Sequence, residues 1–178
     1  MVTKAEHLDF GAETESEIDW EQLFNEEFPR VYNYLRYRTT SDVIAEDLAA
    51  ETFARAWHSR NQYKSDLAAF STWLFTIARN LAIDHLRRSR PQVALEAVPE
   101  PVDDQRVEDH VQRHDNAKRL ATLLSQLPQR EAEIIALRYG ADMPYRQIAK
   151  VLQLTSVNVR VILYRTVRKL RIQWEKQS

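Results

Sequence analysis

The residues best suited to bind a charged partner lie near the C-terminus. Asn158, Arg160, Arg165, Arg168 and Lys169 fall on one predicted helix at about residues 155–174. In the major groove of duplex DNA, Arg and Asn form paired hydrogen bonds with base edges, while Lys and further Arg bind phosphates. The segment 128–178 has four acidic and ten basic residues, a net charge of +6, which favours a polyanionic partner.

The predicted basic helix follows a shorter one at about 144–151, after a turn of three to four residues. This arrangement is typical of a helix-turn-helix motif, in which the first helix braces the second against the groove. Gln153 stands in the turn, where glycine is common. An antiparallel helix pair with a merely solvated basic face remains an alternative.

A second candidate surface lies between Phe70 and Arg88, where aromatic and basic residues alternate (FSTWLFTIARNLAIDHLRR). Proteins that bind single-stranded nucleic acid combine aromatic or apolar pockets for bases with cations for the backbone. Thr76, Asn80 and Arg87 fall near one stripe at helical spacing. Alternatively, Trp73 and Phe75 are core aromatics and the basic residues are solvated.

The composition excludes several other chemistries. The chain has two glycines and no cysteine, so it lacks a dinucleotide fingerprint, a phosphate-cradling loop, disulfides and thiolate metal sites. His110 and His114 have i, i+4 spacing but no evident third ligand, so we expect no metal and no cofactor. No nucleophile-and-base pair is recognisable, and no apolar stretch approaches the ~20 residues of a membrane span. We therefore expect an intracellular, cytoplasmic protein that is not an enzyme.

The helices that must position these residues are predicted in four parts. The acidic segment 1–17 is expected to be a mobile tail, and the proline-containing stretch from Pro91 to about Asp104 a linker. Helix termini are predicted at Ser41 as an N-cap, at Pro29 and Pro128 as first-turn residues, and at Gly140 as a left-handed C-cap. The predicted helices span about 19–27, 28–38, 42–58, 67–90, 105–126, 128–139, 144–151 and 155–174.

Three of these segments, in order, resemble one known family. The segment 45–57 (AEDLAAETFARAW) looks like the core-polymerase-binding helix of extracytoplasmic-function (ECF) sigma factors, and 70–88 like their promoter-melting helix. The stretch 127–139, followed by Tyr145 to Ala149, is similar to the sigma-4 domain of the same family. The resemblance covers about residues 20–90 and 118–172.

The resemblance implies an all-α fold of two small helical domains, a sigma-2-like domain and a sigma-4-like helix-turn-helix domain joined by a flexible linker. The implied division is a tail at 1–17, the sigma-2-like domain at 18–90, linker and helix start at 91–117, and the sigma-4-like domain at 118–178. The implied function is a transcription initiation factor that directs RNA polymerase core to promoters, with the minus-ten element read as melted strand and the minus-thirty-five element as duplex. The implied partners are the β′ coiled coil and β flap of the polymerase, promoter DNA and an anti-sigma factor.

The resemblance also implies three sets of site residues. Core binding is assigned to Asp47, Leu48, Glu51, Phe53 and Arg55. Binding of minus-ten DNA is assigned to Tyr63, Phe70, Trp73, Thr76, Arg79, Asn80, Arg87 and Arg88. Binding of minus-thirty-five DNA is assigned to Tyr145, Ser156, Val157, Asn158, Arg160, Val161, Tyr164, Arg165, Arg168 and Lys169.

The chain departs from the family pattern at a few of these positions. Ala50 replaces a usual Gln, Ile162 replaces a usual Arg, and Val157 and Val161 are apolar where polar residues are common. These changes predict weaker direct readout, contacts with thymine methyl groups, or an apolar strip covered by a partner protein. Two other functions remain open: a dimeric helix-turn-helix regulator that acts without the polymerase, and a degenerate sigma homologue that acts as an interaction protein.

Overall fold

A computed structural model describes residues 19–63, 69–88 and 107–176. The predicted tail at 1–17 and the whole predicted linker, from Pro91 to about Asp104, lie outside these ranges. Seven α-helices and no strand occur in the described residues, which confirms the all-α prediction. They are α1 (Trp20–Thr39), α2 (Asp42–His58), α3 (Phe70–Arg88), α4 (Val107–Ser125), α5 (Gln129–Ile135), α6 (Tyr145–Leu152) and α7 (Ser156–Lys176).

The first helix is continuous, so the prediction of two helices divided at Pro29 was wrong. Asp19 caps α1 by accepting a hydrogen bond from the Gln22 amide at 3.0 Å, and Pro29 lies inside the helix. Interior proline removes one helical hydrogen bond and ordinarily costs about 3 kcal/mol. Here Phe24 and Phe28, in the turns before Pro29, pack on Phe53 of α2 with ring centroids 4.7 and 5.7 Å away, and Val31, Tyr34 and Leu35 after it are buried in the core. Packing on both sides of the proline therefore supports the continuous helix.

The second helix has the predicted bounds. Ser41 is its N-cap, and the Ser41 hydroxyl accepts from the Ile44 amide at 3.5 Å. The inward face of α2 is built from small residues and one leucine, and this allows close approach to α1 and α3. Its opposite face is free to carry charged side chains.

The helices form two units that pack directly on each other. We call α1–α3 the N-terminal unit and α4–α7 the C-terminal unit. A single cluster of buried side chains runs through both, from Tyr34 and Phe75 in the first to Leu137, Met143 and Ile148 in the second. The interface is formed mainly by α1 against the turn after α5, and by α3 against α6.

Gly140 lies where the two units approach most closely. It ends a π-helical turn, Ala136–Gly140, that continues α5, and its φ is not positive, so the predicted left-handed cap at Gly140 was wrong. A Cβ at this position would lie 3.0 Å from the carbonyl oxygen of Asn33 and 3.1 Å from the Cα of Tyr34. These distances are shorter than ordinary van der Waals contact, so a side chain here would require α1 to shift by a few tenths of an ångström.

The turn between α6 and α7 has the geometry that the helix-turn-helix motif needs. Gln153 adopts φ 54° and ψ 44°, the left-handed conformation that glycine usually occupies. The Leu154 amide donates to the Ala149 carbonyl at 2.8 Å, which closes the end of α6. The Thr155 hydroxyl accepts from the Asn158 amide at 3.2 Å and caps the start of α7.

Candidate nucleic-acid interface

Helix α7 has one buried face and one open face. Val159, Leu163 and Thr166 are buried against α5 and α6, and Ile162 is half-buried on the same core. Ile162 thus belongs to the packed side of the helix, which explains why an apolar residue is accepted there. The opposite face is left to residues that do not contribute to the core.

That open face carries most of the residues predicted to bind minus-thirty-five DNA. Tyr145 and Ser156 are half-buried, and Lys169 is exposed with its Nζ 3.8 Å from a Glu131 carboxylate oxygen. Arg165, Arg168 and Lys169 also line one shallow, open depression on the surface. The other exposed members of the predicted set are Val157, Asn158, Arg160, Val161 and Tyr164.

Tyr145 holds two guanidinium groups at the junction of α6 and α7. The Cζ atoms of Arg138 and Arg160 lie 5.5 and 5.4 Å from the centre of its ring. Such cation–π contacts contribute about 0.5–1 kcal/mol at exposed sites. Tyr145 therefore favours a position of the Arg160 guanidinium close to its ring.

Helix α3 presents a narrower open surface than α7. Of the residues predicted to bind minus-ten DNA, Thr76, Asn80, Arg87 and Arg88 are exposed. Arg87 lies 3.3 Å from the Asp84 carboxylate, a pair in which both side chains remain largely in solvent. Phe75 is fully buried, so this aromatic residue serves the core, as the alternative interpretation of the segment held.

The three aromatic residues of the predicted minus-ten set form one cluster before and at the start of α3. Tyr63 packs on Trp73 with ring centroids 5.1 Å apart and on Phe70 at 5.6 Å. Trp20 of α1 meets Phe70 edge to face at 5.4 Å, and Trp57 of α2 meets Trp20 at 5.5 Å. Burial in this cluster raises the pKa of the Tyr63 hydroxyl. The three predicted residues are half-buried, so each offers only part of its ring to a ligand.

Arg79 is engaged by the other unit. Its Nε lies 2.8 Å from the carboxylate of Glu133 in α5, and Glu133 is only 3% exposed. A buried carboxylate requires a cationic partner because the cost of removing it from water is several kcal/mol. In this structure Arg79 therefore joins the two units, a role that sequence reasoning missed because no local pattern links these positions.

Two further polar contacts join the units and were also missed. The Arg30 Nε donates to the Ala141 carbonyl at 3.0 Å, while its Nη1 binds both oxygens of Glu27 at 2.9 and 2.8 Å. The pKa of Glu27 is raised because burial outweighs the attraction of Arg30. In addition, the Gln147 amide of α6 donates to the Ser71 hydroxyl of α3.

The residues predicted to bind the polymerase core divide between surface and interior. Asp47, Glu51 and Arg55 are exposed on α2, and Arg55 forms an ion pair with Glu51 at 2.5 Å. Leu48 is buried among the core residues, and this excludes it from a docking surface in this structure. Phe53 is half-buried against Phe24 and Phe28.

Within the described residues, no group of three or more metal-ligating side chains lies close enough together to bind a metal ion. The side chains of His110 and His114 lie outside what the structure describes. None of the described helices has the length and apolar character that crossing a bilayer demands.

Comparisons with known proteins match both units of the chain. The family model Sigma-70 region 2 matches residues 23–92, and the model Sigma-70, region 4 matches residues 123–171. The ECF RNA polymerase sigma factor BldN of Streptomyces coelicolor is 30% identical over 153 residues, which cover 84% of this chain and 58% of BldN. The chain therefore spans little more than half the length of that relative.

A second relative and one solved structure agree with this match. The ECF RNA polymerase sigma factor SigM of Bacillus subtilis is 26% identical over 147 residues, covering 82% of this chain and 89% of SigM. The fold matches that of the sigma factor RpoE from Bartonella quintana, solved with the anti-sigma factor NepR, at a TM-score of 0.68 and 18% identity over 88% of this chain and 97% of that one. BldN and SigM are both named ECF sigma factors. Because regions 2 and 4 occur in order, the chain belongs to the sigma-70 family, whose members are transcription initiation factors and not enzymes.

Proposed function

We propose that this chain binds RNA polymerase core and directs it to promoters, reading the minus-thirty-five element as duplex through α7 and the minus-ten element as melted strand through α3. The observation that carries the proposal is the open face of α7. This helix is the second of a helix-turn-helix, is braced by α6 from behind, and presents exposed cations along its outer side.

The duplex-reading role of α7 follows from its side-chain chemistry. Asn158 and Arg160, near the start of the helix, are exposed and have the functional groups that bind adenine and guanine edges. Arg165, Arg168 and Lys169 lie one to three turns further along, where they would bind phosphates and fix the register. Binding of this kind weakens steeply as salt rises, because phosphate contacts release condensed counterions.

The strand-capturing role of α3 depends on a smaller surface. The cluster of Tyr63, Phe70 and Trp73 would stack on extruded bases, and Asn80, Arg87 and Arg88 would bind the strand beyond it. Extruding bases from a duplex costs a few kcal/mol, which these contacts must offset. Arg79 would join them once it separates from Glu133.

Core binding is proposed for the exposed face of α2. Asp47, Glu51 and Arg55 are spaced i, i+4, i+8, so they form one polar stripe beside the packed face. This stripe would contact the coiled coil of the polymerase β′ subunit, while the C-terminal unit would contact the β flap. Leu48 and Phe53 would support the stripe from below.

Removing two charges from this stripe tests the core contact. We expect Asp47→Asn combined with Glu51→Gln to weaken core binding about tenfold, since each exposed charge pair contributes at most about 1 kcal/mol and about 1.4 kcal/mol is a factor of ten. Surface plasmon resonance with core polymerase measures the change. The matched control, Glu21→Gln with Glu46→Gln, removes two exposed carboxylates off the stripe and should bind as the unmodified chain does.

The whole function is tested by initiation with core polymerase on a pool of promoter fragments. We expect transcripts from a subset of promoters that depends on the chain. Binding to core without initiation would favour a degenerate sigma homologue acting as an interaction protein. Sequence-specific DNA binding without any core binding would favour the polymerase-independent regulator, although the region 2 match argues against it.

An anti-sigma factor is the remaining proposed partner. The Bartonella quintana protein of this fold was solved in complex with an anti-sigma factor. The polar contacts between the two units here would have to rearrange if such a partner entered between them. Co-purification of the chain from cells that express its chromosomal neighbours, followed by identification of bound proteins, would test for it.

A further inference from the structure

An apolar stripe runs along the open face of α7. Val157, Val161 and Tyr164 are 67%, 40% and 68% exposed, and their i, i+4, i+7 spacing places them on one side of the helix. We call these three residues the α7 stripe. Burial of apolar side chains stabilises a complex, so the stripe favours a partner that covers it with apolar groups.

The α7 stripe is separate from the packed face of the helix. Ile162, the third apolar substitution in this segment, is half-buried against α5 and α6, whereas Val157 and Val161 point away from them. The structure therefore separates two kinds of apolar residue that look alike in the sequence. Ile162 packs inside, and the two valines are presented to a partner.

The charges that border the stripe identify the class of that partner. Arg160, Arg165 and Arg168 are exposed on the same open face, and no exposed acidic residue occurs on α7 before Glu175. A surface that combines apolar groups with a cationic border complements a polyanion that displays apolar groups. Duplex DNA is such a partner, and the apolar group that it displays in the major groove is the C5-methyl of thymine.

Asn158 independently favours an A·T base pair. Its side chain is exposed beside Val157, and Asn forms two hydrogen bonds with adenine through N6 and N7. An adenine on one strand places a thymine on the other. A valine beside an asparagine at the start of a recognition helix is therefore suited to adjacent A·T pairs.

We propose that Val157 and Val161 are specificity-determining residues that recognise thymine methyl groups in the minus-thirty-five duplex. This proposal rests on the proposed function of α7 in duplex binding. Tyr164, a turn further along, covers the sugar-phosphate edge of the same site. The residues predict a promoter element in which A·T pairs lie under the start of α7.

Deoxyuridine tests the proposal because it pairs as thymine does but lacks the methyl group. The full chain bound to core polymerase first selects its preferred fragments from a pool of random duplexes. Each thymine of the selected element is then replaced singly by deoxyuridine, and affinity is measured by fluorescence anisotropy. We expect at least one replacement to weaken binding about fourfold, the change for one methyl-sized group removed from an apolar contact.

Protein variants assign that effect to the stripe. Val157→Ala and Val161→Ala should each weaken binding to the thymine duplex and reduce the thymine-to-deoxyuridine ratio towards one. The matched control is Val43→Ala on α2, where the valine is 70% exposed, and this variant should keep the fourfold ratio. Circular dichroism would check that each variant keeps its helices.

Three outcomes would contradict different parts of the proposal. Selection that enriches no sequence overturns the duplex-binding function of α7 and, with it, this proposal. An enriched element whose deoxyuridine forms bind equally well overturns methyl recognition alone. Unchanged DNA binding with loss of core binding in Val157→Ala and Val161→Ala would assign the stripe to a protein contact instead.

Discussion

Helices α3 and α7 both combine aromatic and basic residues, yet the fold uses them differently. Helix α7 buries one side and leaves a broad cationic face open. Helix α3 is surrounded by α1, α2 and α6, so six of its residues are buried and one of its arginines pairs with the C-terminal unit. Similar composition therefore does not imply similar exposure, because the number of helices that pack around a helix decides how many of its charged side chains remain at the surface.

The largest expected effect concerns the open face of α7. Arg165→Ala combined with Arg168→Ala should lower affinity for minus-thirty-five duplex about 100-fold, on the basis of about 1.5 kcal/mol for each charged hydrogen bond. The slope of log affinity against log salt should fall by about two. Unfolding by urea should be unchanged, since both residues are exposed.

Lys118→Ala with Arg130→Ala provides the control for this pair, because it removes two exposed cations from other helices. An equal loss of affinity in the control would mean that only net charge matters. In that case the open face of α7 would have no special role in DNA binding.

The next effect concerns Arg79 of α3. Glu133→Ala should destabilise the chain by about 1–3 kcal/mol, less than for a fully buried pair because the Arg79 side chain is 30% exposed. Equilibrium unfolding in urea measures it. Asp142→Ala breaks the Arg138–Asp142 pair, in which Asp142 is 92% exposed, and should cost less than about 1 kcal/mol. Equal costs for the two variants would refute a structural role for Arg79.

A change at Gly140 tests the close contact between the C-terminal unit and the backbone of α1. Gly140→Ala should destabilise the chain by about 1–2 kcal/mol, because its Cβ would press on the backbone of α1. Thermal unfolding measures the loss. Adding Tyr37→Ala should give no rescue, since two of the three nearest atoms belong to the α1 backbone. A variant as stable as the unmodified chain would show that the units separate readily.

The smallest expected effect concerns the open part of α3. Asn80→Ala should weaken binding of a single-stranded minus-ten oligonucleotide by the chain with core polymerase about fivefold, the change for one hydrogen bond of about 1 kcal/mol. Asn25→Ala, which changes an exposed asparagine of α1, serves as the control. If the two variants bind the oligonucleotide equally, Asn80 does not belong to the strand-binding surface.

Local sequence patterns predicted helix ends well where capping by neighbouring residues sets those ends. Ser41 caps α2 as expected, and α6 and α7 begin within one residue of their predicted starts. The wrong predictions concern positions where the backbone conformation depends on contacts between residues far apart in the sequence. Pro29 is inside a helix whose residues on both sides of the proline pack on the rest of the fold. Gly140 lies close to α1 without adopting a left-handed conformation.

The candidate site shows the same division. Residue types and order along the chain were sufficient to recognise the family and to place cations on the outer face of α7. They could not separate Leu48, which is buried, from Asp47 beside it, or Ile162 from Val161, because helical spacing alone does not define how wide the packed face is. Exposure depends on which helices are neighbours.

The sequence by itself determined the helical architecture, the helix-turn-helix and the family, because helix periodicity, capping and short motifs are properties of adjacent residues. Only the tertiary structure decided that the two units share one core, that Arg79 is paired with Glu133, and that Val157 and Val161 are open to a partner. The physical reason is that burial and ion pairing depend on distances between residues far apart in the chain, and no local pattern encodes those distances.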